Sequence, residues 1–278
     1  MELSNIVHYE FVQRAFLAGI LIAAVTSILG VFLVLRRFSL IGDGLGHITF
    51  GSVAVVMLIG ISPVYITIAA LPLVMLSSLA ILKLTQSKRI QGDAAIGVVS
   101  SIGIAAGIVL ASLSYGYNLD LFSYLFGNIL TVTRVELIIA LGVFITVVAV
   151  VIVFYDDLLA VTFDEELAIT MGIKTKRLNV MLFLLTAVSA VLAMKVAGIM
   201  LVSSMLILPP LTALQLSLSF KKTIFASVIF SLLSVIFGIM LAFLLNLPAG
   251  GTIVLINIGF LLFTFGAKKI VASPGKEK

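Results

Sequence analysis

The chain of 278 residues is 62% hydrophobic and only 10% charged, with a mean hydropathy of +1.33. A soluble domain is about half apolar and about a quarter charged, and a globular core of this length could not hide so much apolar surface, so a soluble enzyme or binding domain is excluded. The net charge of +5 sits in short clusters between apolar runs, which is the pattern of cytoplasmic loops and not of a nucleic-acid-binding face.

The long apolar runs do not alternate as barrel strands would, so the expected class is an all-α integral membrane protein. At about 20 residues per span the length accommodates eight or nine transmembrane helices with short loops. In chain order the spans are expected at 11–35, 40–61, 64–82, 94–113, 135–155, 178–194, 223–245 and 252–265, with a shorter run at 199–208 that reads as a further span or a half-helix. The stretch 121–130 is too short to cross and reads as re-entrant or interfacial. One transmembrane domain, 1–266, is expected, followed by a basic cytoplasmic tail, 267–278. Residues Met1 to Asn5 lack a basic region and a small-residue cleavage site, so no removable signal peptide is expected. The absence of cysteine removes disulfides, thiolate metal sites and cysteine nucleophiles together.

If the spans simply alternate, Arg36 and Arg37, the cluster Lys83, Lys88 and Arg89, the cluster Lys174, Lys176 and Arg177, the pair Lys221 and Lys222, and the pair Lys268 and Lys269 all fall on one side. The positive-inside rule makes that side the cytoplasm and places the amino terminus outside. Arg134 and Lys195 then lie on the outer side, where they are expected to snorkel toward headgroups.

Ionisable groups inside an apolar run cost at least ~2.5–3.5 kcal/mol each at a helix centre. Asp43 and His47 are such groups, inside the second span. A separation of four puts both side chains on one helix face, where a carboxylate oxygen and an imidazole nitrogen can hold zinc or manganese. A hydrogen-bonded structural pair is the other reading of the same spacing. Gly42, Gly44, Gly46 and Gly51 remove bulk around them and permit close helix approach or a cavity. His8, before the first span, is a weaker candidate ligand at the entry mouth. Zinc usually takes four ligands and manganese about six, so two copies of the chain, with the second spans facing across a two-fold axis, are expected to complete the site.

No G-x-x-x-x-G-K-S/T sequence occurs, so the chain cannot hydrolyse ATP by a phosphate-binding loop of its own. Two segments are expected on the cytoplasmic side to receive a partner that does. Residues 163–173 read as a short acidic helix ended by Gly172, and 209–220 as a less polar helix after a proline break. Ordinary amphipathic interfacial helices are the plainer reading of both.

The stretch 34–47, VLRRFSLIGDGLGH, resembles the signature of the zinc/manganese permeases of ABC importers. Further matches in order are DAAIG at 93–97, YLFG at 124–127 with Ile129 and Leu130, FDEELA at 163–168 with MGI at 171–173, KVAGIMLVSS at 195–204, ILP at 207–209 and LPAGGTIV at 247–254. The resemblance implies the ABC importer permease fold of the metal and vitamin B12 type, in a prokaryotic plasma membrane. It implies a permease dimer, two cytoplasmic ATP-binding subunits, an extracellular metal-binding protein, and an ion pathway lined by Asp43 and His47. No catalytic residue and no permanently bound cofactor are implied; the metal is cargo, with zinc favoured over manganese by an imidazole-containing donor set. Alternating access is the expected mechanism. Gly44 and Gly46 depart from the alanine and serine usual in the family, which bears on local helix packing. A permease for iron–siderophore or another metal chelate, or an ion-gradient-driven secondary transporter, are the alternatives; a bulky chelate needs a wide uncharged path, against which the Asp43 and His47 pair argues.

Overall fold

A computed structural model describes residues 10–62, 65–86, 92–113, 127 and 132–272. The described residues form eleven α-helices: α1 (Glu10–Leu35), α2 (Ile41–Leu58), α3 (Ile66–Thr85), α4 (Gly92–Leu113), α5 (Arg134–Val153), α6 (Tyr155–Phe163), α7 (Glu165–Thr170), α8 (Thr175–Ala197), α9 (Ile199–Gln215), α10 (Phe220–Leu245) and α11 (Ala249–Ala272). Eight of them are long and apolar enough to cross a membrane. His8, the proposed re-entrant stretch 121–130 apart from Gly127, and the motif residues Tyr124, Ile129 and Leu130 lie outside the described residues.

α1 is the hub, packed against α5, α8, α9 and α10. Its inward positions are small or tightly filled, with Ala15, Ala23, Val31 and Phe32 fully buried. α4, α5, α10 and α11 form the periphery and leave large apolar side chains such as Ile102, Ile138, Phe225 and Phe263 exposed, which is where lipid or another membrane-embedded surface must lie.

Two polar layers mark the membrane faces. At one, Arg36 meets Glu165, Lys221 lies over the Tyr155 ring and Lys268 donates to Ser217. At the other, Arg134 pairs with Glu10 and Lys195 with Glu136. Lys195 on one layer and Ser217 on the other require α9 to return the chain across. It does so in 17 residues, about 25 Å at ~1.5 Å per residue, short of a ~30 Å hydrocarbon core.

Two expectations are corrected here. Pro209 and Pro210 lie inside α9, which runs on to Gln215, and do not break it. The prolines remove the N–H donors that the Met205 and Leu206 carbonyls would otherwise meet. The freed Leu206 carbonyl is covered by α1, so closely that a Cβ added at Gly30 would sit 2.1 Å from its oxygen. The helix therefore tolerates both prolines because a neighbouring backbone occupies the gap. Likewise α11 continues to Ala272, so the tail expected from 267 begins as helix, no glycine or proline intervening before Pro274.

α2 and α4 approach closely. A Cβ at Gly103 would meet the Ile48 Cα at 2.7 Å and the His47 carbonyl oxygen at 2.8 Å, and one at Gly51 would meet the Gly103 carbonyl oxygen at 2.4 Å. These are backbone atoms that no rotamer change can move. Gly142 of α5 has nothing within 4 Å of such a Cβ. Gly103→Ala is therefore expected to destabilise by about 1–3 kcal/mol through overpacking, while Gly142→Ala stabilises by about 0.5–1 kcal/mol through helix propensity. Thermal unfolding of the two variants in detergent checks the opposite signs.

Candidate metal pathway

Within Ile41–Leu58 only Asp43, His47, Val55 and Leu58 escape full burial. At about 100° per residue, Gly42 and Gly46 face α9, where a Cβ on either would press on Ser203 or Ile199. Gly44 and Gly51 face α4, against Ile96 and Gly103. Asp43 and His47 fall between these two directions, at the groove separating α9 from α4. The same packing explains the two departures from the family pattern: Ile96 fills the space beside Gly44, and the Ile199 backbone fills that beside Gly46.

The Asp43 Oδ2 to His47 Nε2 distance is 3.6 Å, with side-chain exposures of 50% and 20%. That is too long for a side-chain hydrogen bond. Among the described residues no hydrogen bond engages either group, so their lone pairs remain available to a third party. Among the described residues no group of three or more His, Cys, Asp or Glu is arranged to hold a metal ion. Among the described residues, the groove brings Asp43 and His47 together and no third such donor.

Two ion pairs, one buried and one with only its arginine buried, were not legible in the sequence as pairs. On the outer layer, Glu136 is 4% exposed. Its Oε1 accepts from Thr67 Oγ1 at 2.8 Å and faces Lys195 Nζ at 3.3 Å; its Oε2 accepts from the Thr133 backbone N at 2.9 Å and Oγ1 at 3.0 Å. Lys195 therefore does not snorkel to headgroups; it turns inward to a carboxylate, and Arg134 turns to Glu10. The T-x-x-E spacing of Thr133 and Glu136, a capping box, was the available sequence signal.

On the inner layer, Arg36 Nη2 donates to Glu165 Oε2 at 3.1 Å and Asn179 Nδ2 to Glu165 Oε1 at 2.7 Å. Burial pulls the Arg36 pKa below its ordinary value, and Glu165 opposes that shift. α7 itself forms as expected: Asp164 caps it by accepting from the Leu167 N–H, and Gly172 at φ +83° follows its end. Beyond the spans, Phe163, Leu167, Ile169 and Met171 are each more than half exposed. In 209–220, by contrast, Pro209, Pro210, Thr212 and Ala213 are buried, and the exposed part is 216–219.

Among the described residues, eight helices long and apolar enough to span and a short ninth make this a multi-pass membrane protein. Residues 8–268 match the ABC 3 transport family, and the chain belongs to it. It is 33% identical over 267 residues to the manganese transport system membrane protein MntC of Halalkalibacterium halodurans, covering 95% of this chain and 90% of that one. It is 32% identical to the high-affinity zinc uptake system membrane protein ZnuB of Haemophilus influenzae, covering 89% and 94%. Among solved structures it resembles PsaBC from Streptococcus pneumoniae in complex with Fab, with a TM-score of 0.83, 32% identity and coverage of 95% and 94%. An inward-facing metal-chelate type ABC transporter shares the fold at a TM-score of 0.70 and 16% identity, over 90% and 85%.

Proposed function

We propose that the chain is the membrane-spanning permease subunit of an ATP-driven importer for a divalent first-row metal ion, zinc ahead of manganese, and that Asp43 and His47 line its path. The observation that carries this reading is the 3.6 Å carboxylate–imidazole pair, unengaged by hydrogen bonds to the described residues, in a helix otherwise buried except at Val55 and Leu58. A second copy across a two-fold axis supplies the missing donors, since closed two-fold symmetry is the commonest oligomeric solution. Two carboxylates and two imidazoles form the four-donor set that zinc takes, whereas manganese would add water to reach six. Relatives named for either metal stand at similar identity, so donor chemistry is the better guide.

An extracellular metal-binding protein delivers the ion, and alternating access opens the site inward. Both ligands must be deprotonated to hold the metal, so uptake falls as protons compete. The ATP-binding subunit docks on 163–173, whose exposed apolar residues lie outside the spans, and on the exposed end of 209–220 at Leu216 and Leu218.

Elemental analysis of cells lacking the chain tests the cargo: cellular zinc or manganese is expected to fall and to recover on re-expression, and unchanged content of both overturns the reading. Mass measurement of the detergent-solubilised complex is expected to give two copies. One copy with no second permease chain beside it overturns the shared site.

A further inference from the structure

The short connection from α1 to α2 is stiff. α1 ends with Arg37 at φ +61°, the Phe38 N–H bonding back to the Leu33 carbonyl and the Arg37 N–H to the Val34 carbonyl. This is the Schellman arrangement. The Ile41 N–H then bonds to the Phe38 carbonyl, and the Gly44 N–H to the Leu40 carbonyl. Arg36, Arg37, Phe38, Ile41 and Gly44 are thus each tied to the backbone before them, across the connection and into the first turn of α2, where Asp43 sits. A displacement of Arg36 has little slack in which to be absorbed before it reaches Asp43.

Arg36 is held from the other side. Its side chain is 7% exposed, and its guanidinium carbon lies 5.6 Å from the centroid of Phe38, whose ring meets Phe183 of α8 edge-on at 5.3 Å. Its ionic partner Glu165 is the first residue of α7, whose outward side chains Leu167 and Ile169 are exposed. Both Glu165 oxygens are engaged, one by Arg36 and one by Asn179 of α8. The direct route from α7 to the start of α2 therefore runs through one carboxylate and one guanidinium, beside the Asn179 bond that ties α7 to α8. Simple glue would need neither the continuity of this chain nor its start on an exposed helix.

We propose that Arg36 and Glu165 are positioning residues that couple the cytoplasmic helix α7 to the ion-pathway helix α2, so that movement imposed on α7 by the ATP-binding subunit is delivered at Asp43. This rests on the docking of that subunit at α7 and on the role of Asp43 given above. Neither side chain touches the ion.

The test uses the whole importer in proteoliposomes, with ATP hydrolysis and uptake of Zn²⁺ and Mn²⁺ measured on the same preparation. Glu165→Gln and Arg36→Met are expected to co-purify with the ATP-binding subunit and to retain hydrolysis, yet to move about tenfold fewer ions per ATP, a coupling loss within the usual range for such links. Arg36→Lys, which keeps the charge but not the fork, is expected to recover part of the ratio. Should a single variant leave an unpaired buried charge and misfold, the double variant Arg36→Met with Glu165→Met removes both charges and is expected to fold and remain uncoupled. Parallel loss of hydrolysis and uptake, or an unchanged ratio in the folded double variant, overturns the proposal. Docking is checked separately in the cysteine-free parent: Leu167→Cys is expected to crosslink to the ATP-binding subunit, and failure to do so overturns the docking reading itself.

Discussion

Replacing either Asp43 or His47 by alanine is expected to abolish metal uptake while the protein still inserts and accumulates normally. Both side chains stand on the open face of α2, partly exposed and without hydrogen-bond partners among the described residues. Their removal therefore leaves no buried group unsatisfied, and the cost to stability should stay near that of a surface substitution, within about 0.5 kcal/mol. The cost to the ion is of another order. In a two-fold site each substitution deletes two donors, and even loss of an outer-shell partner typically costs about 10–100-fold in metal affinity or activity. Radiometal uptake at matched protein level is the measurement. Near-normal uptake in both variants would remove Asp43 and His47 from the path, and a parallel collapse in protein level would assign them a structural role.

That pair was legible in the sequence because two facts coincide there: an ionisable group is costly inside an apolar run, and four residues make one helix face. The spans were legible for a similar reason, since hydropathy over about 20 residues is a property of each segment by itself. α7 was readable from Asp164 at its start and Gly172 beyond its end. What could not be read was any contact made across the bundle. Arg36 and Glu165 are 129 positions apart, and nothing local to either announces the other. Lys195 had the look of a snorkelling lysine because its distance from the membrane surface was all that the sequence displayed. The length of α9 was missed for a different reason: a proline pair breaks a helix only where the freed carbonyls must find new partners, and here the α1 backbone at Gly30 closes over one of them. The glycines around Asp43 promised close approach, but which helix came close to which glycine was settled by packing alone.

Glu136→Ala is expected to be among the most destabilising single substitutions in the chain, by about 3–5 kcal/mol, the scale for breaking a buried ion pair from one side. The carboxylate of Glu136 in α5 joins three helices: it holds Thr67 from α3, Thr133 at the cap of α5, and Lys195 from α8. Its removal takes away the carboxylate that faces the Lys195 ammonium, only 16% exposed, and leaves the Thr67 hydroxyl and the Thr133 N–H without the acceptor they now use. Glu136→Gln is expected to cost less, because the amide oxygen still accepts from one of those donors, although the pairing of Glu136 with the Lys195 charge is lost. Combining Glu136→Gln with Lys195→Met removes both charges and substitutes an unbranched apolar chain for the lysine stem. If the damage comes from breaking the ion pair from one side, the double variant should be more stable than Glu136→Gln alone, a coupling of the size seen for contacting groups, about 0.5–3 kcal/mol. Thermal unfolding of the parent, Glu136→Gln, Lys195→Met and the double variant in one detergent closes the cycle. Strict additivity would mean that Lys195 has another way to satisfy its charge and that the pair is not what holds α3, α5 and α8 together.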